Sequence, residues 1–182
     1  FFQAGGGRRS MVGTVVQTCA LPISKAYLNG MSNDVRGFFV GGATTPEYVN
    51  QSTIEFVTMA STGNGNGFGD LSTTTRSGSS AASNTRGILQ IGQTTPLPGN
   101  RLIEFITLST LGNSQNFGEV TTLAKSGSAA VASSTRACFM GGVGTTGNAG
   151  HVSNVIDFVT ISTLGNAQDF GDMTVAVDAL AG

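Results

Sequence analysis

Short apolar runs recur along this chain, and each is broken by Gly, Ser, Thr or Asn before it reaches helical length. FFVGG (38–42), ILQIG (88–92) and CFMGG (138–142) form one set, and IEFVTMA (54–60), IEFITLS (103–109) and IDFVTIS (156–162) form another. The second set alternates, with Ile, Phe and Thr on one face and an acid followed by Val or Ile on the other. Period-two alternation over such lengths predicts strands with one face buried. Two small polar runs, SGSSAAS (77–83) and SGSAAVAS (126–133), precede the apolar ones and predict further strands.

The runs belong to an internal repeat. Arg36, Arg86 and Arg136 fall fifty residues apart, and Phe56, Phe105 and Phe158 correspond. So do Phe68, Phe117 and Phe170, each followed by Gly and then by an acid, Asp70, Glu119 or Asp172. Each unit reads as four strands: a small polar one, an apolar one ending at Gly41-Gly42, Gly92-Gln93 or Gly141-Gly142, an alternating one, and a short one starting at FGDL or its equivalent. The last two are joined by Gly63-Asn64, Gly112-Asn113 or Gly165-Asn166. Both residue types accept positive φ, which suits a tight connection. A period near fifty with many short strands argues for a repeat architecture rather than a single sandwich.

Composition narrows the class. Charged residues are 10% of 182 and the formal net charge is −1, so nothing steers the chain toward nucleic acid or an anionic membrane. No stretch has the roughly 18 apolar residues of a membrane helix. Cys19 and Cys138 lie in unrelated contexts, which gives neither a disulfide framework nor metal-ligand spacing. Cys138, inside RACFMGG, reads as a small buried hydrophobe. Residues 1–24 differ from the rest. Arg8 and Arg9 could open a signal peptide, but Gln17 and Thr18 interrupt the apolar stretch after them. VQTCALPIS also resembles a translated sequencing-library adapter, and 1–24 is read as a non-native or disordered leader.

The order of basic residue, small strand, apolar strand ending in diglycine, aromatic strand, turn and aromatic resembles the kelch repeat. That resemblance implies an all-β fold, a partial β-propeller of about three four-stranded kelch-like blades. Kelch blades usually carry Tyr in the third strand and Trp at the start of the fourth. Here Phe56, Phe105 and Phe158 fill the first role and Phe68, Phe117 and Phe170 the second, and the chain has no Trp. The VTI…Gly-Asn…FGDL spelling is also similar to repeat arrays in virion-associated proteins of marine bacteriophages. With Lys25, Arg76 and Lys125 taken as equivalent, the kelch-like region is 25–182, with blades at about 25–75, 76–124 and 125–177 and the start of a fourth at 178–182. Propellers close at roughly four to eight blades, so three imply further blades of the same polypeptide or self-association.

Residues that occur three times are read as structural: Arg36, Arg86 and Arg136, Gly41, Gly42, Gly141 and Gly142, and Phe68, Phe117 and Phe170. The arginines are expected to contact the repeated acid of their own or a neighbouring blade. GNGNGFG (63–69) lacks the spacing and the following helix of a phosphate loop. His151 is the single histidine, too little for a metal site or a Ser-His-Asp arrangement. No catalytic residue, metal or cofactor is assigned.

The variable stretches lie between the second and third strands, at 43–53, 93–102 and 143–155. Loops on a rigid scaffold are where binding residues concentrate. Tyr48, Asn50, Asn100, Arg101, His151 and Asn154 are the candidates, with a protein or glycan ligand expected and neither nucleic acid nor membrane. The expected role is a non-enzymatic structural or binding segment of a larger virion or extracellular protein. An intracellular kelch module that binds a protein partner, and a fragment of a propeller enzyme with its active site elsewhere, are the alternatives.

Overall fold

A computed structural model describes residues 25–94, 101–121, 125–144 and 151–179. The described residues form four antiparallel sheets arranged as in a β-propeller. Blade 1 comprises Asn29–Ser32, Arg36–Val40, Val49–Thr58 and Asn66–Thr75. Blade 2 comprises Ser79–Ala82, Arg86–Gln90, Leu102–Thr107 and Gln115–Glu119, and blade 3 comprises Ala129–Ala132, Arg136–Met140, Val155–Thr160 and Gln168–Asp172. In every blade the strands pair in sequence order. The first strands of successive blades lie side by side, and Ser80 Oγ donates to Gly30 O across that boundary at 3.0 Å. The fold class expected from the repeat is therefore observed. The fourth strand starts two residues earlier than FGDL suggests, and in blade 1 it runs for 10 residues.

The fourth sheet is small. Lys125–Ser126 pairs with Val143–Gly144, which pairs with His151–Val152. Blade 1 has the same feature, Lys25–Ala26 against Ala43–Thr44 against Val49 and Asn50, and blade 2 reduces it to an Arg76–Gln93 bridge. These pairings correct the alignment by one residue. Arg76 stands with Ala26 and Ser126, so Thr75 is the counterpart of Lys25 and Lys125. The diglycine counterpart in blade 2 is likewise Ile91-Gly92. The sequence misleads here because a basic residue sits one place along. Gly41, Gly42, Gly141 and Gly142 all have positive φ, 61°, 91°, 68° and 87°, and a Cβ at Gly42 would lie 2.9 Å from Ala26 O.

Packing is between blades. Phe38, Val40, Ile54, Phe68 and Leu71 of blade 1 meet Leu89, Ile91, Ile106 and Leu108 of blade 2. Ile88, Ile103, Phe105, Phe117 and Val120 meet Ala137, Phe139, Val159 and Ile161 of blade 3 in the same way. The repeated Phe-Gly organises both contacts. The register between third and fourth strands slips at the same point in every blade, from Gly67 to Gly69, Asn116 to Gly118 and Asp169 to Gly171. The residue skipped is Phe68, Phe117 or Phe170. A bulge re-aims its extra side chain, and here it presents the ring edge-on to the third-strand Phe, with centroids 6.1, 6.1 and 5.9 Å apart.

The glycine after each bulge leaves room for the next blade. Gly112 N–H donates to Phe68 O (3.0 Å) and Ser114 N–H to Asp70 O (3.0 Å). Gly165 and Ala167 repeat this on Phe117 O (2.9 Å) and Glu119 O (2.8 Å). Asn113 Oδ1 accepts from Asp70 N–H (3.0 Å), and Asn166 Oδ1 from Glu119 N–H (3.1 Å). The Gly-Asn pair thus does more than turn the chain. Its glycine takes the positive φ, 152° at Gly112 and 148° at Gly165, while its asparagine caps the outer strand of the preceding blade.

The repeated arginines serve the same joint. Arg36 Nη1 donates to Leu108 O at 2.9 Å and Arg86 Nη1 to Ile161 O at 2.8 Å, each in the following blade. Each guanidinium also covers its own third-strand Phe, at 4.6, 4.8 and 4.8 Å for Arg36, Arg86 and Arg136. The expected contact to the repeated acid is replaced by a backbone carbonyl and a ring. A charged donor on a neutral carbonyl contributes about 1.5–3 kcal/mol, more than the ~0–1 kcal/mol of an exposed ion pair.

A Cβ at Gly69 would lie 2.2 Å from Gly112 O. Gly69→Ala should therefore lower unfolding free energy in urea by about 1–3 kcal/mol, the usual cost of overpacking. Gly67→Ala, whose Cβ would meet nothing within 4 Å, should leave the urea midpoint nearly unchanged. Equal loss in both would remove the interlock as the cause.

Candidate functional site

The second-to-third strand connections and the crossovers into the next blade share one face. Two grooves open there, each between neighbouring blades. Tyr27, Tyr48, Arg76, Ser77 and Gln93 line the first, a cavity of about 460 Å3. Arg101, Thr121, Lys125, Gly144, His151 and Val152 are among those lining the second, of about 440 Å3.

Tyr27 and Tyr48 are both exposed, with ring centroids 6.2 Å apart and planes at 44°. Both have left-handed backbone, φ 59° and 55°. For Tyr27 the repeat explains this, because Ser77 and Gly127 hold the same place with φ 53° and 69°. Their backbones link in series, Ser77 N–H to Tyr27 O (3.1 Å) and Gly127 N–H to Ser77 O (2.7 Å). Among the described residues outside this loop, no other second-to-third strand connection shows a non-glycine residue with positive φ. Arg76 closes the groove, with Nε on Gln93 Oε1 (2.8 Å) and Nη1 on Tyr48 O (3.4 Å).

The other candidates divide. Asn50 is buried, and its Nδ2 donates to Gln93 O of blade 2 at 3.0 Å. Arg101 donates through Nε and Nη2 to Val120 O (2.9 and 2.6 Å) and through Nη2 to Thr121 O (3.1 Å). That holds its own fourth strand in place, although the side chain still borders the second groove. His151 is exposed in that groove, paired with Gly144. Asn154 Nδ2 reaches Met173 O at 3.5 Å and ties down the exit of blade 3. Asn100 lies outside the described residues. The structure therefore brings Arg101 and His151 together, sets Tyr48 in a separate groove, and commits Asn50 and Asn154 to the scaffold.

Beneath the grooves lies a feature that the alternating pattern conceals. Glu104 and Asp157, on third strands, are fully buried. Lys125 Nζ lies 3.0 Å from Asp157 Oδ2 and donates to Val155 O at 3.0 Å, while Thr121 Oγ1 donates to Asp157 Oδ1. Blade 1 has a looser version, Lys25 to Glu55 at 3.4 Å. In blade 2 the basic residue is replaced by Thr75, and Glu104 instead accepts from Ser72 Oγ, Ser114 Oγ and Ser72 N–H, the last at 3.3 Å. These acids join blades and do not face a groove.

Among the described residues no group of three or more His, Cys, Asp or Glu could hold a metal ion. No family model matches the sequence, and no curated protein matches it. The fold is similar to the solved structure of YjhT, a kelch-type propeller, with a TM-score of 0.65 at 10% identity. The match covers 85% of this chain and 54% of that one, so the chain spans about half the length of that structure. At this identity the likeness concerns the fold.

Two measurements check these environments. Lys125→Met leaves Asp157 buried without its cation and should cost about 3–5 kcal/mol in urea unfolding. Pairing it with Asp157→Leu should recover most of that loss, and no recovery would mean that the charge is not the cause. Cys138 is half-buried, and burial raises its thiol above the usual range while the Arg136 guanidinium pulls it part-way back. The thiolate is the reactive form, so alkylation of Cys138 in the Cys19→Ser chain should be slow at neutral pH. It should still be accelerating above about pH 8.5, where an ordinary cysteine is half ionised.

Proposed function

We propose that this chain is a non-enzymatic β-propeller segment of a larger virion or extracellular protein, and that its loop face binds a glycan in the Tyr27–Tyr48 groove. The observation that carries this reading is the pair of exposed tyrosine rings beside Arg76 and Gln93. Rings with an apolar face and a polar tip suit a sugar's mixed surface. Arg76 uses one edge of its guanidinium on Gln93 and Tyr48, and the remaining N–H groups suit hydroxyl oxygens. A few convergent polar groups beside aromatic walls are the usual form of a ligand site. Support also comes from Tyr48, a non-glycine residue held in a conformation that costs roughly 1–2 kcal/mol, as residues at functional sites often are. The virion or extracellular setting is supported by the spelling of the repeat.

The chain contains two tyrosines and no tryptophan, and both tyrosines are in this groove. Intrinsic tyrosine fluorescence therefore reports on the proposed site with no background. Titration with a panel of soluble oligosaccharides should give a saturable change for at least one member. Tyr48→Ala should weaken that response at least about tenfold, and Tyr48→Phe should largely retain it. A response to peptides alone would reassign the groove to a protein partner, and no response to either class would overturn the reading.

A further inference from the structure

We propose that the groove between blades 2 and 3 binds a small organic carboxylate, with Arg101 and His151 as the residues that recognise it. This site is separate from the tyrosine groove and does not rest on the glycan reading. At about 440 Å3 the groove has the size of an ordinary small-molecule site. Its lining is basic in a chain that is poor in charge. Arg101 and Lys125, two of nine Lys and Arg residues, meet there with the single histidine, His151. Among the described residues that line the groove there is no Asp or Glu.

These residues keep donors that the scaffold does not use. Arg101 spends Nε and Nη2 on Val120 O (2.9 and 2.6 Å) and Nη2 on Thr121 O (3.1 Å), which leaves both N–H groups of Nη1. Lys125 forms the floor. It is 1% exposed, and its Nζ has Val155 O and Asp157 Oδ2 at 3.0 Å each, which accounts for two of its three hydrogens. Ser153 Oγ accepts from Val155 N–H at 3.1 Å, so its own hydrogen is available to donate. His151 is exposed and adds an imidazole N–H. A lining of donors selects an acceptor, and a charged acceptor above a neutral one. Val152, 38% exposed, gives a carbon skeleton an apolar wall that an inorganic ion would leave bare. The described residues contain no helix, and so no helix N-terminus of the kind that cradles phosphate.

The repeat shows that the charge at Arg101 exceeds what the scaffold needs. Its counterpart in blade 3 is Asn154: Val120 N–H donates to Arg101 O at 2.9 Å, and Met173 N–H to Asn154 O at 2.7 Å. Asn154 Nδ2 holds Met173 O as the guanidinium holds Val120 O. Blade 1 has Ser52 at this place, with Oγ on Asp70 Oδ1 at 3.1 Å. An uncharged side chain thus suffices in both other blades. His151 departs from the repeat in the same way. It pairs with Gly144 where blade 1 pairs Val49 with Thr44. The acids nearby do not cancel the groove's charge. Asp157 is matched to Lys125, while Glu119 is 55% exposed and 3.9 Å from Arg101 Nε. Ion pairs so exposed are weak and screened by salt.

Isothermal titration of the full chain at fixed ionic strength tests this with acetate, succinate and benzoate, and with inorganic phosphate. At least one of the three organic acids should bind saturably, and more tightly than phosphate. Arg101→Asn keeps a side-chain amide for Val120 O, as in blade 3, and His151→Ala changes an exposed residue. Each should keep the circular dichroism spectrum. Each should weaken binding, Arg101→Asn by at least about tenfold, the usual loss with a charged hydrogen bond. Tyr48→Ala should bind the same acids unchanged, which separates this site from the tyrosine groove. Binding of none of the organic acids would overturn the proposal, as would phosphate binding as tightly as the best of them. So would an affinity indifferent to both Arg101→Asn and His151→Ala, or one lost in Tyr48→Ala.

Discussion

Each joint between blades depends on a turn seated against a bulge. The bulge throws Phe68 or Phe117 into the space between blades, and the glycine after it leaves the backbone bare. Gly112 or Gly165 of the next blade then approaches closely enough to donate to the Phe carbonyl. Any side chain at Gly69 or Gly118 would strike the incoming carbonyl. The asparagine beside the turn glycine caps the outer strand, and the arginine reaches the same neighbour from the second strand. Four of the most repetitive residue types in the chain are thus parts of one device, and its energy belongs to pairs of blades.

That division explains the pattern of burial. In repeat proteins stability is approximately a sum of unit terms and nearest-neighbour terms. Here the neighbour terms include charge. The third-strand acid is half-exposed as Glu55 and fully buried as Glu104 and Asp157. Its compensation changes from blade to blade: a loose lysine, then a set of hydroxyl and amide donors, then a buried lysine with a threonine. An isolated buried carboxylate would be costly, so the hydroxyl of the preceding blade has to be present wherever the acid is covered.

The blade count, the strand order and the aromatic equivalences were legible in the sequence because copying makes them redundant. The joints were not, because their contacts run between copies. Asn113 and Asp70 lie in different repeats, and nothing local distinguishes an asparagine that turns a chain from one that caps a neighbour. The buried acids were hidden for a related reason. Glu55, Glu104 and Asp157 occupy the polar phase of an alternating strand, which is solvent-facing in a lone sheet and core-facing in a stack. Arg76 misled the alignment because Thr75 had taken the place of the lysine found in the other two blades.

The loops show the same limit from the other side. Variation between copies marked Asn50, Arg101 and Asn154 as free to bind, yet each donates to a backbone carbonyl of the scaffold. Variation of that kind also arises when three joints are built differently. Tyr27 escaped notice because it sits at the blade entrance, in a position that Ser77 and Gly127 show to be structural. Its backbone is fixed by the repeat and its side chain is not used by it. A ring held rigidly by the scaffold yet left in solvent costs little further entropy to engage a ligand. Side chains fixed by repeat backbone but unused in repeat packing, as Tyr27 is, are therefore candidates that loop variability alone does not pick out.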